Sequence, residues 1–350
     1  MRLEPRARVP LWLGLAAPVA AIGLALLLCS LLIVWAGKPV AQAYGLVLNG
    51  ALGSRFALTE TLTRATPLIF TGLAVAVAFR ARLWNIGAEG QFFAGAIAAS
   101  WLGTAALPLP AVVLVPLLFL AGALAGGLLL LGPALMKLRL QVDEVVTTLL
   151  LNFVLILVVD WLIFGPWKDP MALGWPQGPP VVAEARLPKL LARSSVHAGL
   201  LIGLGLAVAA WLMVRFTTLG YAIRAVGHNP GASAFAGIPV DATVVRTALL
   251  SGGLAGMAGV SELLGFKGYL TTDLSAGFGY AGIAVAMLAA LHPLGVIPSA
   301  LFIAGIYVGA DSMSRKLEVS SYIADVISAT ALLAVLGSLL LVRFRVRLRS

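Results

Sequence analysis

This chain is poor in charge. Asp, Glu, Lys and Arg make up 11% of its 350 residues, against about 25% in soluble domains, which must meet water with polar groups. A soluble fold of this length would bury a large core and still need a charged surface, and that surface is missing. Cysteine is nearly absent as well. Cys29 stands alone, which excludes an intrachain disulfide and a multi-cysteine metal site and leaves a small apolar packing residue. The three histidines, His197, His228 and His292, lie in separate regions. They form no nucleophilic or metal-binding constellation, so no catalytic residue, metal or cofactor is expected and the chain does not read as an enzyme. No Gly-x-x-x-x-Gly-Lys-Ser/Thr phosphate loop occurs. ATP hydrolysis, if used, would have to come from another chain. The net charge of +10 comes with no aromatic-basic stripe, so nucleic acid is not an expected partner.

What is present is long apolar runs. A spanning helix needs roughly 20 mainly apolar residues to cross about 30 Å of hydrocarbon. Charges and prolines divide the sequence into about ten such spans: one within 9–37, then 58–80, 90–107, 111–136, 145–165, 196–215, 246–266, 274–291, 294–312 and 323–342. Open strands would leave unpaired backbone groups in lipid, so the class is all-α and polytopic. The N-terminal Arg2, Arg6 and Arg8 before an apolar stretch, with Ala41-Gln42-Ala43 beyond it, imitate a signal peptide. The uncharged run Val9–Gly37 is too long for one and reads as a retained helix. Basic residues favour the segments that are internal if both termini are cytoplasmic, most of all Arg343, Arg345, Arg347 and Arg349, which would sit among lipid headgroups. The chain reads as a single transmembrane domain, 1–350, with halves at 9–165 and 196–342 and a cytoplasmic loop at 216–245.

The halves resemble each other. RATPLIFTGLA from Arg64 matches RTALLSGGLA from Arg246, and GAEGQFFAGAIAA from Gly87 matches GFGYAGIAVAMLA from Gly277. With five helices per half, equivalent helices run in opposite directions. Such an inverted 5+5 repeat places a substrate near the membrane midplane at the repeat interface. The segment Trp84–Gln91 sets Asn85, Glu89 and Gln91 among glycines after a short proline-containing run, the pattern of a broken helix lining a path. Its counterpart, Gly265 to Ala281, contains Asp273 and Tyr280. Glu89 and Glu262 are the candidate membrane carboxylates. Asn152, Asp160, Asp311 and Asp325 fit interhelical polar contacts.

The inside loop divides into two short helices. One covers about 219–226 with Gly227 as its C-cap, and the second begins at Asn229-Pro230 and ends before Gly237 and Pro239.

RAVGHNPGASAFAGI in this loop, with NIGAEGQ, DEVVTTLLLN (Asp143 to Asn152) and GYAGIAVAMLA, resembles permeases of the ribose and branched-chain amino acid class of ABC importers over roughly 60–340. NIGAEGQ and DEVVTTLLLN point to the branch serving nucleosides and simple sugars. Ser233 replaces the alanine of many members. The resemblance implies a bacterial inner-membrane permease. Its loop residues Tyr221, Arg224, Ala225, Val226, Gly227, His228, Asn229, Pro230, Ala232 and Gly237 would couple to a separate ATPase subunit. Asn85, Glu89 and Gln91 would lie by the path, with Asn152, Glu262 and Tyr280 joining them as candidate path residues. An external solute-binding protein or lipoprotein would deliver the solute, and a second permease subunit, identical or related, would complete the pore. An ion-coupled secondary transporter of a small polar solute is the competing reading, with Glu89 and Glu262 as its ion sites.

Overall fold

A computed structural model describes residues 33–320 except 106 and 108, together with 2–5, 23, 26–31, 322, 325, 326, 329, 330, 333, 334, 337 and 344–347. The helices are α1 (Val40–Leu52), α2 (Arg55–Arg80), α3 (Ala88–Thr104), α4 (Ala111–Leu140), α5 (Glu144–Phe164), α6 (Gly199–Phe216), α7 (Thr218–His228), α8 (Pro230–Phe235), α9 (Val240–Glu262), α10 (Phe278–Leu288) and α11 (Val296–Leu317). A further helical stretch, Leu26–Trp35, precedes α1. Arg2–Pro5 pairs antiparallel with Phe344–Arg347, Arg2 opposite Arg347.

Among the described residues six helices are long and apolar enough to cross a membrane: α2, α4, α5, α6, α9 with its π-helical extension to Lys267, and α11. They answer to six of the expected spans. The third is the 17-residue α3. The eighth shrinks to the 11 residues of α10, roughly 16 Å of helix, too short to cross alone. Most of the first and tenth expected spans, and Pro108 in the expected break, lie outside the described residues. Helix α1 occupies a stretch expected to be an external connection.

The chain divides into two compact units, residues 62–301 and residues 1–61 with 302–350. In the larger unit, α9 packs along α3 and α4 through glycines. A Cβ on Gly256 would overlap the carbonyl oxygen of Gly122, and one on Gly126 that of Gly252. Gly95 meets Gly256, and Gly259 meets the backbone of Phe92. Lipid tails are as apolar as leucine, so no hydrophobic force drives helices together within the bilayer. Small residues allow the close backbone approach that does. In their most apolar windows, α9 with its extension is 78% buried, against 33% for α4 and 28% for α5 and α6. Thus α9 is a central helix, and the other three expose apolar faces to lipid.

Segment 166–198 is an ordered cover. Gly178, Val181 and Leu187 donate backbone N–H groups to the carbonyls of Leu270, Gly268 and Leu264, at 2.9, 2.9 and 3.0 Å. Val182 donates to Gly103 at 2.9 Å. In the smaller unit, Cys29, Ile33 and Ala43 pack with Met313 and Leu317, so the lone cysteine is a buried packing residue.

Candidate functional site

Two helices of the larger unit begin after a break in the chain, α3 behind Gly87 and α10 behind Gly277. Gly277 has φ +78, a left-handed conformation that favours glycine. Neither helix is capped by its own N-cap side chain. The first turn of a helix exposes N–H groups that need acceptors. Here polar side chains from other helices supply them.

For α3 the supplier is α5. Glu144, Thr148 and Asn152 recur every fourth residue and so share one helix face. Glu144 Oε1 accepts from the Trp84 N–H at 3.2 Å and pairs with the Lys137 ammonium. Lys137 Nζ also donates to the Arg82 carbonyl at 3.0 Å. Thr148 Oγ1 accepts from the Ile86 N–H at 3.3 Å. Asn152 accepts from the Gly90 N–H at 2.8 Å and donates to the Ile86 carbonyl at 2.9 Å. The segments NIGAEGQ and DEVVTTLLLN are thus two sides of one hydrogen-bonded seam.

Asn85 and Gln91 close the break from within. Each donates its side-chain amide N–H to the other's carbonyl oxygen at 2.8 Å. Asn85 Oδ1 also accepts from the Gly87 N–H at 3.0 Å, and Asn85 Nδ2 donates to Ser251 Oγ at 3.0 Å. Ser251 Oγ then donates to the Ala74 carbonyl at 2.7 Å. All three side chains are buried.

For α10 the supplier is Glu89, in the first turn of α3. Its Oε2 accepts from the Gly279 N–H at 2.6 Å, and its carboxylate also accepts from Ser275 and the backbone of Tyr280. A carboxylate at a helix N-terminus is favoured by the helix dipole, and three donors satisfy this buried group as hydrogen-bond rules require. Tyr280 hydrogen-bonds Asn152, so both helix starts join one polar cluster. Within it Tyr280 is 37% exposed, whereas Asn85, Gln91 and Asn152 are at most 1% and Glu89 is 3% exposed. Glu262 is buried three turns beyond Ser251 on α9, about 16 Å along the axis, outside this cluster.

The inside loop folds as two helices, α7 and α8. Thr217 accepts from the Gly220 N–H at 3.1 Å to start α7. Asn229 accepts from Ala232 at 3.1 Å to start α8, with Pro230 at its first position. The expected C-cap role of Gly227 is corrected: α7 continues to His228, and Gly227 is buried where its Cα abuts the carbonyl of Arg80 at the end of α2. Any side chain there would collide with backbone. Arg80 in turn donates to the Leu291 carbonyl at 2.9 Å. Val226 is buried too, and Arg224 and Ala225 are half-buried, the Arg224 guanidinium donating to the Val214 carbonyl. Tyr221, His228, Asn229, Pro230, Ala232 and Gly237 are exposed, and Phe235 stands 98% exposed at the tip.

The sequence reading did not assign Thr148, Ser251, Glu144 or Ser275. The fourfold spacing of 144, 148 and 152 was the available signal for the first and third. Outside the spans, His197 is fully buried against Gly265, with its Nδ1 accepting from the Gly199 N–H at 3.2 Å. Burial, reinforced by Lys189, lowers its pKa to about 4.

Several membrane-crossing helices, interrupted helices held by a buried polar seam and an exposed helical elbow define a polytopic transport protein. Residues 57–336 match the family described as "Branched-chain amino acid transport system / permease component", and the chain belongs to that family. It is 34% identical over 99% of its length to the glucose ABC transporter permease protein TsgB13 of Haloferax volcanii, covering 93% of that protein. It is 35% identical to the guanosine ABC transporter permease protein NupP of Bacillus subtilis, over 93% of each chain. Identity to the nucleoside ABC transporter permease protein NupB of Lactococcus lactis is 30%, over 85% of this chain and 84% of that one. No solved structure matches.

Proposed function

We propose that this permease imports a nucleoside or simple sugar across a bacterial inner membrane, driven by a separate ATP-binding cassette subunit docked on the α7–α8 elbow. A solute-binding protein or lipoprotein delivers the solute, and a second permease subunit, identical or related, completes the path. The observation that carries the reading is the elbow: its tip is bare, while its buried side is fixed to the end of α2 through Gly227 and Arg80. A push on the tip therefore reaches a membrane helix directly. ATPase closure then biases one membrane conformation over the other through contacts that differ between them.

In this reading residues 1–350 act as one permease domain of about ten crossings, halves 9–165 and 196–342 forming an inverted 5+5 repeat with both termini inside. That α3 and α10 each begin behind a glycine, with a first turn held by another helix, supports that symmetry. The path runs past these two helix starts. Tyr280 offers the exposed edge, Asn85, Glu89, Gln91 and Asn152 fix the helix ends behind it, and Glu262 lies farther along. Uptake of labelled guanosine and glucose by a strain deleted for the operon and complemented with it tests the substrate class. Saturable, ATP-dependent uptake of one of them is expected, and uptake of neither contradicts the assignment.

A further inference from the structure

A cavity outside the polar seam, among the described residues, is apolar and open to the side. It holds about 400 Å³ between α2, α4, α6 and α9. Gly127 and Gly253 hollow its wall, Val77 lines it from α2, and Ala209, Met213 and Leu249 border it. Ala209 and Leu249 are exposed at its rim. Along α9 its lining runs from Leu249 to Met257, a rise of about 12 Å, close to the roughly 15 Å depth of one leaflet. It sits toward the elbow end, since Val77 is one turn from Arg80 and Met213 one turn from the end of α6.

That end is basic. Arg246 lies on α9 one turn before Leu249 and Leu250, on the same helix face, and it is exposed. Arg215 is also exposed near the end of α6, but it stands two residues from Met213 and so on the opposite face of that helix from the cavity. The carboxylate nearest in sequence is Asp241, five residues before Arg246 at the start of α9.

We propose that this cavity binds one acyl chain of an anionic phospholipid whose headgroup phosphate meets Arg246. Moving an acyl chain from bilayer to groove gains no hydrophobic energy, so retention depends on filling the hollow and on the phosphate contact. The site therefore selects by headgroup charge. A second copy of this chain would bring the same basic end and set like charges together.

The full chain, purified in detergent and exchanged into mixed dioleoyl phosphatidylglycerol and dioleoyl phosphatidylcholine, is analysed by native mass spectrometry. One tightly retained phosphatidylglycerol is expected, with preference falling roughly fivefold in Arg246→Gln and unchanged in Arg215→Gln, which faces away from the cavity. Ala209→Phe, at the exposed rim, should displace the lipid without altering elution or melting. Excess inorganic phosphate should not compete, because it lacks the chain. Equal retention of both lipids, unchanged retention in Arg246→Gln, displacement by phosphate alone, or an Ala209→Cys cross-link between two copies would each overturn the proposal.

Discussion

The Cα of Gly227 rests against the carbonyl oxygen of Arg80, so the elbow and the end of α2 touch backbone to backbone. No rotamer can relieve an added methyl there. Alanine at an ordinary helical glycine stabilises by about 0.5–1 kcal/mol. Gly227→Ala should do the opposite locally, displacing α7 from α2. ATP-driven uptake in vesicles should fall more than tenfold while the detergent-solubilised bundle keeps its elution profile. Normal uptake would remove the mechanical role given to this contact.

Asn152 satisfies both the Gly90 N–H and the Ile86 carbonyl. Asn152→Leu keeps the volume and strands both groups, at a cost of about 2–4 kcal/mol on the scale of buried unpaired polar groups. A fall in thermal midpoint, measured by fluorescence in detergent, is expected. Thr148→Val, next to it on the same face, should cost less because it frees a single N–H.

Glu89 holds the start of α10 through the Gly279 N–H. Glu89→Gln retains one acceptor oxygen but loses the charge that suits a helix N-terminus, so uptake should drop partially. Glu89→Ala should abolish it. If Glu89 instead served as an ion-coupling site, the Gln variant would match the Ala variant and wild-type uptake would collapse with an ionophore while ATP stayed high.

His197 is held neutral, its pKa lowered to about 4 by burial and Lys189. The unfolded chain protonates it near pH 6.5, so below that the unfolded state binds the extra proton. Stability is therefore full above about pH 6.5 and declines as pH falls toward 4, by up to about 3 kcal/mol. Thermal midpoints recorded between pH 7.5 and 4.5 should show this slope, and His197→Gln should flatten it.

The sequence shows most of the spanning helices because uncharged stretches between basic residues directly reflect lipid as solvent. Glycines at Gly122 and Gly126, and at Gly252 and Gly256, also display the spacing of close-packed helices, although which helix meets which depends on the fold. Helix α10 is shorter than its apolar run because Gly277 turns left-handed and Glu89, far away in the chain, holds the start. That partner has no local signature. Gly227 illustrates the opposite failure. A glycine after a short helix commonly ends it, yet here the helix continues and the missing side chain makes room for Arg80. Helix α1, at 13 residues, is too short to register as a crossing and falls between two expected spans.

The most direct test places a single cysteine at the elbow tip. In a Cys29→Ala background, Phe235→Cys is co-expressed with the partner ATPase carrying cysteines around its exposed grooves, and inverted membrane vesicles are treated with a short bifunctional maleimide. A permease–ATPase adduct that changes in yield with ATP is the predicted result. Labelling of Phe235→Cys only from the external face of intact cells, with no adduct in vesicles, would contradict the account.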